Sequence, residues 1–318
     1  MSGAGRLRGI PEETVSGRPI WEREGRDWPN REASRFPVAA GIRWHVQVMG
    51  QGPVVLLIHG TGAATHSWRD LAPLLAERFE VIAPDLPGHG FTEVPLGRGL
   101  SLDFMTDAIG QLLDRLEKRP ALAVGHSAGA AILARMCLNA QIAPRALVSL
   151  NGAMLPLDGL PGHVFSPMAR FLSAIPLLPH VFAWQASAPE AVERLVCSTG
   201  SVIDPRGVDL YRRLIESPGH VSATLNMLAN WELGSLLREL PRLQQALYLV
   251  VGENDWTVPP SESRRVRALL PDAELISLPG LGHLAHEERP HQLAGLVYRL
   301  AGANSILRGC SEQAESAE

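Results

Sequence analysis

The stretch that most constrains this chain is Leu122-Ala123-Val124-Gly125-His126-Ser127-Ala128-Gly129-Ala130-Ala131. A short apolar run enters Gly-x-Ser-x-Gly, and small residues then lead into Ile132-Leu133-Ala134-Arg135-Met136. That order predicts strand, sharp turn, helix. A serine at the tip of such a turn is held in strained backbone geometry, so its close neighbours must be small. Gly125 and Gly129 have no side chain to collide there. The turn lifts the Ser127 hydroxyl above the sheet and sets the Ala128 N–H at the head of a helix, where it can face an oxyanion. Gly-x-Ser-x-Gly by itself is a weak signal because its residue types are common. The rest of the chain decides.

Residues 1–35 are polar and Arg/Glu-rich yet carry Trp21 and Trp28. They predict an N-terminal arm whose tryptophans anchor on this protein or on a partner. From Phe36 the pattern changes to a hairpin turning at Gly41, with Ile42, Trp44, Val46 and Val48 alternating. Val54-Val55-Leu56-Leu57-Ile58 is continuously apolar, as expected of a strand covered on both faces. Ser67 to Arg78 predicts a helix with Ser67 as its N-cap. Glu80 to Pro84 is the next strand, and Leu102 to Glu117 an amphipathic helix. Then come the Ser127 turn and a strand over Ala146 to Leu150. Strand–helix alternation of this kind implies an α/β fold with a mostly parallel sheet flanked by helices. The alternation stops near Asn151. Residues 152–241 are rich in Pro, Met and aromatics without a clear strand, and read as an inserted helical cap. The core, begun over 36–151, resumes over 242–302: a strand at Gln245 to Gly252, a helix at Pro260 to Leu270, a strand at Ala273 to Leu278 and a last helix from Pro290. Residues 303–318 read as a flexible tail.

A serine hydroxyl is a poor nucleophile near neutral pH and needs a base, which a third group must orient. Two such groups follow Ser127, each just past a predicted strand. Val250-Val251-Gly252-Glu253-Asn254-Asp255 places Asp255 in one loop, with Glu253 as a competitor. Leu278-Pro279-Gly280-Leu281-Gly282-His283 places His283 in the other, with His286 as the alternative base. The end of the strand before the cap, another position for the acid, holds Asn151, which is not a carboxylate. An oxyanion hole needs two N–H donors; Ala128 offers one, and Thr61 in His59-Gly60-Thr61-Gly62 the other. His59 and Asp85 read as structural. Candidates to line the substrate pocket are His126, Met154, Phe165, Met168, Trp184, Met227 and Trp231, with Phe171 and Phe182 beside them. An apolar pocket of this kind suits a bulky hydrophobic ligand over a charged one.

A formal net charge of −4 gives no basic footprint for nucleic acid. No H-E-x-x-H, clustered Cys/His spacing, G-x-G-x-x-G or Walker loop is present, so no metal site and no cofactor are expected. Three scattered cysteines point to a reducing, cytoplasmic setting. No apolar run reaches the roughly 18 residues needed to span a bilayer, which leaves peripheral membrane contact open.

These residues together resemble the α/β-hydrolase superfamily over about Phe36 to Ala301, which implies an eight-stranded, mostly parallel sheet and a Ser127–His283–Asp255 set. A closer resemblance lies in stretches the generic fold does not require. They are residues 27–36 (from Asp27-Trp28-Pro29-Asn30), Arg43-Trp44-His45-Val46-Gln47, residues 59–70 (from His59-Gly60-Thr61-Gly62-Ala63-Ala64), Asp85-Leu86-Pro87-Gly88-His89-Gly90-Phe91-Thr92, Gly125 to Ala131, and Gly282-His283-Leu284-Ala285-His286-Glu287-Glu288. Together they are similar to the BchO family, accessory proteins of magnesium chelatase in bacteriochlorophyll synthesis. That resemblance implies a cytoplasmic protein of a photosynthetic bacterium, working near magnesium insertion into protoporphyrin IX, with chelatase subunits as partners. It implies no particular reaction. Two expectations follow: a serine hydrolase of an ester or thioester, or a non-hydrolytic tetrapyrrole-binding or chelatase-accessory protein that uses the fold as a scaffold. Epoxide hydrolases and haloalkane dehalogenases of this fold use an Asp nucleophile, and Ser127 argues against both.

Overall fold

Strand alternation sorts the apolar residues onto two faces of one sheet. In the strand Val54–Ile58, Val55 and Leu57 pack into one apolar layer and Leu56 and Ile58 into the other, as the two-residue period requires. The computed structural model describes residues 17–94, 99–156 and 189–307. Strands in chain order are β1 (Ser34–Arg35), β2 (Val38–Ala39), β3 (Ile42–Arg43), β4 (Val46–Met49), β5 (Val54–Ile58), β6 (Glu80–Pro84), β7 (Leu122–His126), β8 (Ala146–Leu150), β9 (Ala246–Gly252) and β10 (Glu274–Leu278). Eight of them form one sheet in the order β1-β4-β6-β5-β7-β8-β9-β10. From β6 to β10 all neighbours are parallel, while β4 and β1 add antiparallel at one edge. This is the eight-stranded, mostly parallel sheet that the resemblance to α/β-hydrolases implies.

The Leu102–Leu116 and Ala128–Leu138 helices cover one face. The Leu71–Ala76 and Pro290–Ala303 helices cover the other. Ser101 caps the Leu102–Leu116 helix by accepting from the Phe104 N–H at 3.3 Å. Between β8 and β9 the described residues form helices only: Pro189–Cys197, Pro205–Ile215, Pro218–Ala229 and Gly234–Glu239. Ser217 and Asp204 cap two of them, each with Pro at the next position.

Four expectations change in detail. Ser67 does not cap a helix; it sits inside a buried 3₁₀ turn, Thr65–Trp68, and the α-helix begins later at Leu71. The expected long hairpin is a short one, β2–β3, because β4 leaves it to pair with β6. The sheet takes in Ser34 and Arg35 of the arm, and Trp28 is buried with its Nε1–H on Thr65 Oγ1 at 3.0 Å. Both arm tryptophans therefore pack on this chain, Trp21 against Phe36, His45 and Phe91. At the other end Ile306 is buried in the second apolar layer, so residues 303–307 belong to the packed core rather than to a tail.

Candidate active site

Parallel strands end together, and the loops that leave their carboxyl ends enclose one cavity of about 710 Å³. The loops after β5, β7, β8, β9 and β10 all contribute, and the helices between β8 and β9 close it from above. Ser127, Ala128, Thr61, His126, His283 and Trp231 line it.

The turn at Ser127 has the geometry its neighbours permit. Ser127 takes φ 50 and ψ −119, a left-handed conformation that L-residues rarely adopt. A Cβ at Gly125 would stand 2.6 Å from Ala130 N, and one at Gly129 would collide with the carbonyl of Ile58. A Cβ at Gly60 would stand 2.9 Å from Ser127 Cβ, so the loop after β5 also presses on the turn. Ala128 opens the helix, which leaves its N–H without an intrahelical acceptor.

His283 lies across the same cavity. Its Nδ1 is 2.8 Å from Asp255 Oδ2, and Asp255 is buried. Backbone N–H groups of Thr257 and Val258, each at 2.8 Å, fix Asp255 Oδ1. Asn151 Nδ2 donates to Asp255 Oδ2 at 2.7 Å. All four bonds hold the carboxylate in one orientation. The competitor Glu253 is exposed. Asn151, read only as a missing carboxylate, is thus part of the site; the signal was its place at the end of β8.

His286 is not on the cavity wall. It is buried without a hydrogen-bond partner, against the rings of His126 and Trp68. Burial pushes it down to about 3, with His283 and Arg69 adding to the effect. His126 donates from Nε2 to the His283 carbonyl at 3.0 Å, and burial holds it well below the ordinary histidine range. Both rings are neutral near pH 7. His59 bonds Gly60 O through Nδ1 (2.8 Å) and accepts from Leu86 N (2.9 Å), which braces the loop carrying Thr61.

The pocket candidates divide. His126 and Trp231 line the cavity. Met154 and Met227 do not: both are buried in the apolar core below it, and the Met227 sulfur instead accepts from the Thr61 hydroxyl at 3.6 Å. Phe165, Met168, Phe171, Phe182 and Trp184 lie outside the described residues. Tyr211, which sequence reasoning missed, lines the cavity and donates to Glu287 Oε1 at 2.7 Å. Burial pushes Glu287 up to about 7 against the pull of Arg69. Arg69 pairs with both Glu287 and Asp204, which ties the Pro205–Ile215 helix to the core. The described lining contains no Lys or Arg, and its one carboxylate, Glu232, is exposed. No group of three or more metal-ligating side chains is found among the described residues. None of their helices is long and apolar enough to cross a membrane.

Comparison with known proteins agrees with the architecture. The family described as "Alpha/beta hydrolase family" matches residues 55–296. The magnesium-chelatase 30 kDa subunit of Rhodobacter capsulatus is 38% identical over 273 residues, 85% of this chain and 95% of that protein. Haloalkane dehalogenase 2 of Mycobacterium tuberculosis is 28% identical, over 85% of this chain and 95% of its own. An alpha/beta hydrolase fold protein from Burkholderia ambifaria superposes with a TM-score of 0.69 at 23% identity, covering 84% of this chain and 99% of that one, a likeness of fold.

Proposed function

The chain belongs to the alpha/beta hydrolase family, and on that premise we propose that it is a serine hydrolase acting on an ester or thioester with a bulky apolar acyl group. One observation carries this reading. His283, bonded to buried Asp255 at 2.8 Å, shares a cavity wall with a serine held at positive φ on the first turn of a helix.

In this reading Ser127 Oγ attacks the acyl carbon while His283 Nε2 takes its proton. Asp255 fixes the ring and stabilises the imidazolium. The carbonyl oxygen becomes an oxyanion facing the N–H groups of Ala128 and Thr61. Collapse expels the alcohol or thiol, which receives the proton from His283, and leaves an acyl-serine. Water then attacks that ester with His283 again as base, releasing the acid and restoring Ser127. The absence of cationic residues from the described lining supports an uncharged acyl group over a free carboxylate. Dehalogenase chemistry displaces halide with a carboxylate oxygen, and the nucleophile position here holds Ser127.

A fluorophosphonate probe tests the reading. It should label Ser127 in the folded protein and leave Ser127→Ala unlabelled; folded parent protein that resists labelling sinks it. A second reading draws on the 38% identical relative, named as a chelatase subunit. In it the chain is a cytoplasmic accessory of magnesium chelatase that binds a tetrapyrrole and contacts the chelatase subunits, with peripheral membrane contact. The two are separated in a pigment-deficient deletion strain. Full restoration of magnesium-porphyrin synthesis by Ser127→Ala assigns the biological role to the second.

A further inference from the structure

The Pro218–Ala229 helix does two things at once. Val221, Thr224, Leu225 and Leu228 present it to the cavity. His220 also borders the cavity, and the helix reaches the two glycine turns beneath. A Cβ at Gly88 would stand 2.5 Å from Ala223 Cβ, and one at Gly62 would stand 3.6 Å from Thr224 Cγ2. Between these turns lies His220, 1% exposed, with both ring nitrogens engaged. Nδ1 accepts from Gly90 N–H at 3.1 Å, and Nε2 donates to Gly62 O at 3.1 Å. Only the neutral ring protonated on Nε2 can make both bonds. Burial drives His220 down to about 4 despite the Gly62 carbonyl and Asp85, with His59 and Arg18 pushing the same way as burial. His89 packs against its ring at 5.3 Å between centroids.

We propose that His220 is a positioning residue: by holding the Gly62 carbonyl it fixes the loop that presents the Thr61 N–H, and so couples the oxyanion site to the docking of the helix that roofs the cavity. This rests on the serine-hydrolase reading. Thr61 is the residue before Gly62, and its own hydroxyl reaches Met227 of the same helix. The loop carrying the amide is therefore held from the inserted helix at two successive residues. Gly62, at φ +77, has no side chain of its own to restrain it. An amide donor placed this way matters most when charge develops on the substrate oxygen, so its loosening lowers kcat more than it raises KM.

The test compares the parent with His220→Leu and His220→Gln in turnover of a p-nitrophenyl ester. It adds inhibition by a trifluoromethyl ketone, which forms an oxyanion on the serine, and hydrogen exchange over residues 60–64. For His220→Leu we expect kcat to fall about 10- to 100-fold, ketone affinity to fall in parallel, and KM to stay within about threefold. Exchange over 60–64 rises. Gln offers one donor and one acceptor, and should recover kcat to within about fivefold of the parent. The inference is overturned if His220→Leu keeps kcat and ketone affinity within about twofold, or if His220→Gln is no better than a folded His220→Leu. If the Leu variant does not fold, His220→Gln decides alone: near-parental kcat supports the proposal, and a loss of tenfold or more overturns it. Failure of the hydrolase reading looks different. The parent itself then neither turns over nor takes the fluorophosphonate, while exchange over 60–64 still reports whether His220 holds the loop.

Discussion

Two places in this molecule gather a serine, a histidine and an aspartate. At the cavity, Asp255 Oδ2 lies 2.8 Å from His283 Nδ1, and Ser127 shares the wall. On the far side of the β5 loop, Asp85 Oδ2 lies 2.7 Å from His45 Nδ1, and Ser34 Oγ lies 2.9 Å from His45 Nε2. By hydrogen bonds among the three side chains the second set is the more complete, since His45 is bonded to both Asp85 and Ser34. The surroundings differ. Ser127 is strained at φ 50, ψ −119 with a helix starting at its next residue; Ser34 is relaxed at φ −71, ψ 136 in an edge strand. His283 borders a cavity of about 710 Å³, whereas His45 is fully buried under Trp21, Phe36 and Phe91. Neither Ser34 nor His45 lines that cavity. A relay of three residues becomes chemistry only with room for a substrate and donors for its oxyanion.

The largest expected contrast is at the serines and acids of the cavity set. Ser127→Ala should lower kcat by about 10⁴-fold or more on any ester the parent turns over. Asp255→Asn should cost about 10⁴-fold, because the amide neither stabilises the imidazolium nor selects the same tautomer. Ser127→Ala should melt close to the parent, whereas Asp255→Asn should melt lower, because its amide meets the donors that hold the buried carboxylate. Steady-state kinetics with matched thermal melts checks them; a Ser127→Ala protein that retains a tenth of the parental rate removes Ser127 from the chemistry.

Much of the cavity set was legible because strand ends announce themselves. Ser127, Asp255 and His283 each follow an apolar run, and parallel strands deliver such loops to one edge. The second set was not legible: Ser34, His45 and Asp85 are 11 and 40 residues apart and meet only because β1 and β4 join the sheet antiparallel. Met154 and Met227 were misplaced for a related reason. Composition marks the inserted segment as apolar, but which face of a helix looks inward depends on what it docks against. Here the Pro218–Ala229 helix docks on Gly62 and Gly88, which turns Met227 down onto Thr61. His220 meets Gly62 and Gly90 across 158 and 130 residues, a contact no local pattern encodes.

At the buried set the expected loss moves from rate to stability. Asp85 accepts from Thr65 N (2.7 Å) and Phe91 N (2.9 Å) as well as facing His45. Burial opposes its charge, but His45 and these donors outweigh it and hold its carboxyl well below the usual range. Asp85→Asn leaves that network unbalanced and should cost about 3–5 kcal/mol in denaturant unfolding. Acid should act more broadly. His59, His66, His89, His126, His220 and His286 are all buried and all pushed down, His220 to about 4 and His286 to about 3. Below an unfolded pKa of about 6.5 the unfolded chain binds protons that these folded rings refuse. Stability is therefore full above that pH and falls on acidification, by up to about 1.4 kcal/mol per pH unit for each ring. Glu287, raised to about 7, contributes the opposite sign, one group against six. Urea midpoints at pH 7 and pH 5 check this, and equal midpoints would contradict it.

The smallest effect is the most telling for the comparison. Ser34→Ala removes one hydrogen bond to His45 Nε2. Ser34 is only partly buried, so water can replace its hydroxyl, and the cost should be about 1 kcal/mol. Because Ser34 has relaxed backbone geometry and its His45 is sealed under three rings, kcat should stay within about twofold of the parent. A fluorophosphonate should leave Ser34 untouched even in Ser127→Ala protein, where the Ser127 hydroxyl no longer competes for the probe. Labelling at Ser34 in that background, read by peptide mass, would show that hydrogen-bond geometry alone suffices to activate a serine. The strained turn and the cavity would then no longer account for the difference between the two sets.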